Sequence, residues 1–295
     1  MNPPSARLGS PCALSPCAAA TLACIYEATA RKPGNVHPGA NFDDATTYAH
    51  FVTSAVVVGP IIERAGTAGV GRTVFDAVSA TRAAVGTNTN LGTLLLIASL
   101  AAVLGDGPLR AGIAGVLGRL TDEDTRLVYE AIRVSSAGGL GRAERADVFA
   151  DSPPKLSLVE AMWLAAERDL VARQYTNDFA DVFDGPANWI DDGLARGWSL
   201  STAIVHAHLR QLASNADSLI ARKCGSRIAD EASQRAAETL KTGVPGDPTY
   251  ENAIAHLDQW LRADGHRRNP GTSADLIAAG LFVMLREGRL NWQVW

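Results

Sequence analysis

Five polar gatherings in this 295-residue chain have the residue types to hold an anion or a metal. In AVGTNTNLGTLLLIASLAA, residues 84–102, Thr87, Asn88, Thr89 and Asn90 stand directly before an apolar run. Gly86 and Gly92 allow close backbone approach there, and the unbonded N–H groups of a helix start supply positive potential. One short polar side chain is enough to cap a helix. Four exceed that need, so Asn88, Thr89, Asn90 and Gly92 are expected to contact a ligand, with phosphate as the natural candidate.

The second gathering is EATARKPGNVHPGANFDD, residues 27–44. Lys32 precedes Pro33 and Gly34, so its ammonium can meet phosphate beside the backbone of Gly34 and Asn35, or simply complement a helix C-terminus. Glu27, five residues earlier, is expected to face the same space. Asp43 and Asp44 can cap the next helix or help hold a metal. In AAERDLVARQYTNDFADVF, Asp169 and Arg173 are four apart and can form an intrahelical ion pair. SNADSLIARKCGSRIADEA collects Asp217, Arg222 and Lys223, cations that suit polyphosphate. GHRRNPGTSADLIAAGLFVML sets Asn269 and Gly271 ahead of an apolar helix, where Asp275 is either a capping-box carboxylate or an Mg²⁺ ligand. His206 and His208 lie about 200° apart on a helix and cannot readily share a metal.

Positioning these groups falls to helices. Apolar residues recur at spacings of three and four, as in Leu158, Met162, Ala165, Ala166 and Leu170, with little two-residue alternation. Ser15-Pro16, Ser157 to Glu160 and Thr272 to Asp275 mark helix starts. Stops stand at Lys32-Pro33-Gly34, Gly105 to Pro108, Gly138-Gly139 and Gly243 to Pro248. These marks predict an all-α fold of about ten helices, forming one compact domain over residues 15–290, with residues 1–14 as a disordered tail. Long loops are expected at Gly138 to Pro154 and Lys241 to Thr249.

Composition narrows the function. The chain is 47% hydrophobic and 20% charged, with net charge −4, enough to bury a large core but without a global basic field for nucleic acid. Its longest apolar run, Leu94 to Leu104, falls short of the ~20 residues that cross a bilayer, and the N-terminus lacks an uninterrupted signal-like segment. Four cysteines form neither a CxxC pair nor a dense disulfide framework. No partnership with nucleic acid or membrane is expected, the location is expected to be cytoplasmic, and a homo-oligomer is left open. Neither GxxxxGK[ST] nor a strand-linked GxGxxG occurs, so a bound nucleotide must be held some other way.

Taken in order, EATARKPGNVHP, GTNTNLGTLLL, RDLVARQY, NADSLIARKCG and NPGTSADLIAAGLF resemble the triphosphoribosyl-dephospho-CoA synthase family across residues 27–282. The resemblance implies an all-helical transferase that joins ATP to 3′-dephospho-CoA. In that reaction the acceptor 2′-hydroxyl attacks C1 of the ATP ribose and adenine departs. It further implies Mg²⁺, cations for the polyphosphate and a carboxylate near the anomeric carbon. On that reading Lys32, Gly34, Asn35, Asn88, Thr89, Asn90, Gly92, Arg173, Arg222, Lys223, Asn269 and Gly271 contact substrate. Glu27, Asp169, Asp217 and Asp275 are the catalytic candidates, with Asp217 and Asp275 as metal ligands. Two alternatives stand beside it: ATP-dependent ribosyl or phosphoryl transfer in making another cofactor, such as a one-carbon pterin, and a non-catalytic helical binding module. Cys224 stands where many relatives are expected to carry histidine, a departure that bears on the acceptor.

Overall fold

The computed structural model describes residues 12–43, 46–105, 107–135 and 156–291. Among them there are helices and two isolated bridges, His37 with Ala40 and Asp43 with Thr46, but no strand. The first helices are α1 (Pro16–Thr29), α2 (Tyr48–Ile62), α3 (Ala65–Ala68), α4 (Val70–Val85) and α5 (Leu91–Ala101). There follow α6 (Leu109–Leu117), α7 (Asp122–Ser135), α8 (Leu158–Trp163), α9 (Leu170–Gln174) and α10 (Ala180–Val182), which runs into a π-turn at Phe183–Ala187. The remainder are α11 (Asn188–Ala195), α12 (Leu200–Ser214), α13 (Ser218–Cys224), α14 (Ser226–Lys241), α15 (Pro248–Arg262) and α16 (Gly271–Arg286). All-α holds, with more helices than the ten expected because several are only one or two turns long.

Local chemistry explains two starts as the sequence predicts. Ser15 Oγ accepts from Ala18 N with Pro16 at the first helical position, and Ser157 with Glu160 closes a reciprocal capping box. Three marks need correction. The first helix ends at Thr29, before Lys32. The apolar stripe from Leu158 to Leu170 is divided between α8 and α9, since Asp169 caps the second piece by accepting from Val171 N and Ala172 N. Thr272 does not open the last helix either: Pro270 is its N-cap and Asp275 is free of capping duty. The expected Gly138 to Pro154 loop lies outside the described residues, as do Asp44 and residues 1–11. Leu14 N donates to Leu285 O (3.1 Å), tying the start of α1 to the end of α16.

The main core is built around α16 and α5. Between Thr272 and Leu285 every residue of α16 is buried except Asp275, and α1, α5, α12 and the π-turn cover it. Each large apolar side chain so buried contributes about 1.5–3 kcal/mol relative to exposure. Gly280 permits a tight crossing, since a Cβ there would lie 2.7 Å from Pro186 Cβ and 2.9 Å from Ala187 N. A smaller apolar cluster, including Leu209, Leu212, Ile220, Tyr250, Leu257 and Leu261, joins α12 to α15.

Candidate functional site

Loops and helix ends meet at a cleft of about 820 Å³, near the upper end of the roughly 300–1,000 Å³ typical of small-molecule sites. The starts of α5, α8, α9 and α16 border it, as do the end of α13, one face of α7, Asn35, Val36, Phe42, Asp43 and Thr46, and the segment 265–269. It draws on all five polar gatherings.

Asp275 faces this cleft from the middle of the core. Its Oδ1 accepts from Thr93 Oγ1 at 2.7 Å, and the α5 backbone stands so near that a Cβ on Gly92 would lie 2.1 Å from Asp275 Oδ2. Gly92 therefore makes room for a carboxylate. Burial, opposed by the Thr93 hydrogen bond and reinforced by the charges of Glu27 and Asp217, pushes the Asp275 carboxyl up to about 7. Glu27 also lines the cleft and is paired with Lys32 Nζ at 2.9 Å.

The turn before α5 spends its polar groups unequally. Asn88 Oδ1 accepts from Asn90 N (3.3 Å) and Leu91 N (3.1 Å), and Thr89 Oγ1 donates to Ser54 Oγ (2.7 Å). Asn90 lines the cleft, is 8% exposed, and neither its Oδ1 nor its Nδ2 has a partner.

Cations gather on the other elements. Arg222 and Lys223, at the end of α13, line the cleft; Arg222 donates to Asp169 Oδ2, which joins α13 to the α9 cap. Lys223 Nζ donates to Asn269 Oδ1 at 3.0 Å, and burial, with Arg222 beside it, lowers its pKa. Arg82, Arg168 and Arg267 complete the lining cations, Arg267 anchored on Lys223 O at 2.7 Å. The 265–269 segment is fastened from behind, where Trp260 lies between the guanidiniums of Arg235 (4.6 Å) and Arg268 (4.5 Å).

Several expected site residues do other work. Asp217 is fully buried outside the cleft: Oδ1 caps α13 through Leu219 N and Ile220 N, and Oδ2 accepts from Ser273 N and Ser273 Oγ. With both oxygens doubly engaged it has no lone pair to offer a metal or a proton, so its place as ligand or base is corrected to fastening α13 against α16. Burial raises its pKa against those four hydrogen bonds. Lys32 is likewise enclosed, its ammonium spent on Glu27 Oε1, Glu27 O and Ala30 O, so it steadies Glu27 rather than touching phosphate. Gly34, at φ +74°, donates to Asp258 Oδ1 and packs where a Cβ would come 2.9 Å from both Leu261 and Pro270; it locks a loop against α15. Arg173 pairs with Asp181 (2.7 Å) and Asn215 (2.8 Å), not with Asp169, and stands outside the cleft lining. Asp169 borders the cleft as a helix cap and as the anchor of Arg222.

Glu27, Asn35, Asn88, Thr89, Asn90, Gly92, Asp169, Arg222, Lys223, Asn269, Gly271 and Asp275 do come together around the cleft. Asp43, expected as a cap or a metal holder, lines it as well, while Thr47 caps α2. The sequence reading missed Arg82, Thr93, Phe42, Phe51, Tyr129 and His266. Phe42 packs edge-on to Phe51 (6.2 Å between centroids) and tilted against His266 (5.3 Å), whose φ of +62° no spacing pattern announces. Thr93, three residues past Asn90, was open to detection as a hydroxyl at the mouth of an apolar helix.

Among the described residues no trio of His, Cys, Asp or Glu forms a ready metal cage, and the cysteines are free. The cleft's carboxylates instead suit a hard cation that takes one or two protein oxygens and completes its shell with phosphate and water. No helix among the described residues is long and apolar enough to cross a membrane.

No curated protein matches the sequence. A crystal structure from Archaeoglobus fulgidus, provisionally assigned as a triphosphoribosyl-dephospho-CoA synthase, superimposes with a TM-score of 0.62 at 24% identity, covering 80% of this chain and 98% of the other; it shares the fold. The family model described as ATP:dephospho-CoA triphosphoribosyl transferase matches residues 14–294, and the chain belongs to that family.

Proposed function

We propose that the cleft moves the triphosphoribosyl group of ATP onto the 2′-hydroxyl of 3′-dephospho-CoA, a glycosyl-type transfer that releases adenine. Family membership supports the reaction, and the observation that carries the site is Asp275, a carboxyl raised to about 7 in a cleft lined by five cations. The acceptor oxygen forms a bond to C1′ of the ribose while the C1′–N9 bond breaks and its electron pair leaves with the base. Asp275, ionised in about half of molecules near neutral pH, takes the hydroxyl proton, and the departing base acquires one, so a single hydrogen passes from hydroxyl to adenine overall. Glu27, kept in place by Lys32, adds negative charge that favours the oxocarbenium-like state. Arg222, Lys223 and Arg267 hold the triphosphate, with Asn269 orienting Lys223 and Asp169 orienting Arg222. Bound Mg²⁺ would neutralise triphosphate charge, and Glu27 and Asp43, which line the cleft, would supply carboxylate oxygens to hold it.

Incubation with ATP, Mg²⁺ and dephospho-CoA should yield free adenine by chromatography. ADP or AMP with the glycosidic bond intact overturns the reading. Asp275→Asn should lower kcat at least about 100-fold with an unchanged far-UV circular dichroism spectrum; full activity would remove Asp275 from the chemistry.

A further inference from the structure

Asn90 is the one buried residue of the polar turn before α5, and its backbone is committed while its side chain is not. The Asn90 N–H donates to Asn88 Oδ1 and its carbonyl accepts from Leu94 N (2.9 Å), while Asn88 and Thr89 are spent on the helix start and on Ser54. The Asn90 side-chain amide is more than nine-tenths buried at the cleft, with donor and acceptor both unpaired. A buried amide without partners is costly in the unliganded protein. Such a cost is offset when a ligand supplies the missing acceptor and donor side by side.

From this we infer that Asn90 reads the nucleobase of the triphosphate donor and selects adenine. An asparagine amide matches adenine along the N6/N7 edge, accepting from the amino group and donating to N7, whereas guanine presents two acceptors there. Phe51 lies one turn before Ser54 on α2, the residue that Thr89 holds, and Phe51 and Phe42 both line the cleft, so apolar ring faces are at hand for a planar base. Donation to N7 also suits the reaction, since it stabilises the electron pair that the base carries off. The assignment rests on the reading that the cleft takes ATP, and it adds the residue that sets base identity.

Calorimetry with Mg²⁺ and no acceptor tests it. Wild-type protein should bind ATP at least about tenfold more tightly than GTP, and about tenfold more tightly than 7-deaza-ATP, which lacks the N7 acceptor. Asn90→Ala should weaken ATP about tenfold, leave GTP within about twofold, and leave the melting temperature of the unliganded protein unchanged or higher. Equal affinity of the wild-type protein for ATP and 7-deaza-ATP, or selectivity that survives Asn90→Ala, overturns the assignment while the proposed reaction stands. A fall in melting temperature with affinities unchanged would make Asn90 a structural cap. Absence of ATP binding by the wild-type protein sinks both readings.

Discussion

Asp275 keeps its proton through a range in which an ordinary carboxyl is ionised, because burial in a poorly hydrated recess penalises its charged form and the carboxyls of Glu27 and Asp217 add to that penalty. That has a thermodynamic sign. A carboxyl that titrates near 3.8 in the unfolded chain and about 7 in the folded one binds protons more readily when folded between those values. Stability from this group is thus greatest below about pH 4 and is lost as pH rises towards 7 and beyond. Asp275→Asn should be more stable than wild type at pH 8 but not at pH 4, by roughly 1–3 kcal/mol after allowance for contact with cleft solvent; a higher melting temperature at pH 8 alone, in parallel thermal melts at the two pH values, checks it. Asp275 was legible in the sequence because a carboxylate four residues into an apolar helix invites explanation. The inward turn of Lys32 and Asp217 was not: a lysine beside a helix end reads the same whether its ammonium meets phosphate or the carboxylate of Glu27.

At the scale of elements, the site depends on how closely α5 and α16 approach. Gly92→Ala would improve the intrinsic helix propensity of α5 by about 1 kcal/mol, yet its methyl would overlap Asp275 Oδ2. The variant should keep its helical spectrum, melt no higher than wild type because overpacking costs typically 1–3 kcal/mol, and release adenine at least about tenfold more slowly; an undiminished rate would show that the carboxylate has room to spare. Sequence reading attached Gly92 to phosphate, since a glycine near a helix start is required equally by a bound anion and by a neighbouring helix, and only the packing distinguishes them. The capping signals at Ser15 and Ser157 were readable because they are local. The break between α8 and α9 was hidden by a continuous apolar stripe, with Asp169 read as a surface ion-pair partner instead of a second cap.

Across the whole molecule, two apolar clusters of unequal size share one cleft. The larger one encloses α5 and α16, while the smaller one supports α13, whose Arg222 and Lys223 line the cleft. Local opening should therefore begin on the phosphate side. Hydrogen exchange followed by mass spectrometry should find amides of α13 to α15 exchanging faster than those of α5 and α16, with MgATP slowing α13 most; uniform exchange would mean that the clusters open as one. An all-helical class was evident from periodicity, but the division into clusters was not, since it depends on which apolar faces meet across the chain. The central place of α16 has a consequence for biosynthesis. The polar turn at 86–90 leaves the ribosome some 180 residues before Asp275 does, so a nascent chain displays Asn90 long before the carboxylate that lines the same cleft. Emergence of this helix completes the interior, so a chain interrupted before it lacks both the central core helix and the carboxylate that faces the cleft.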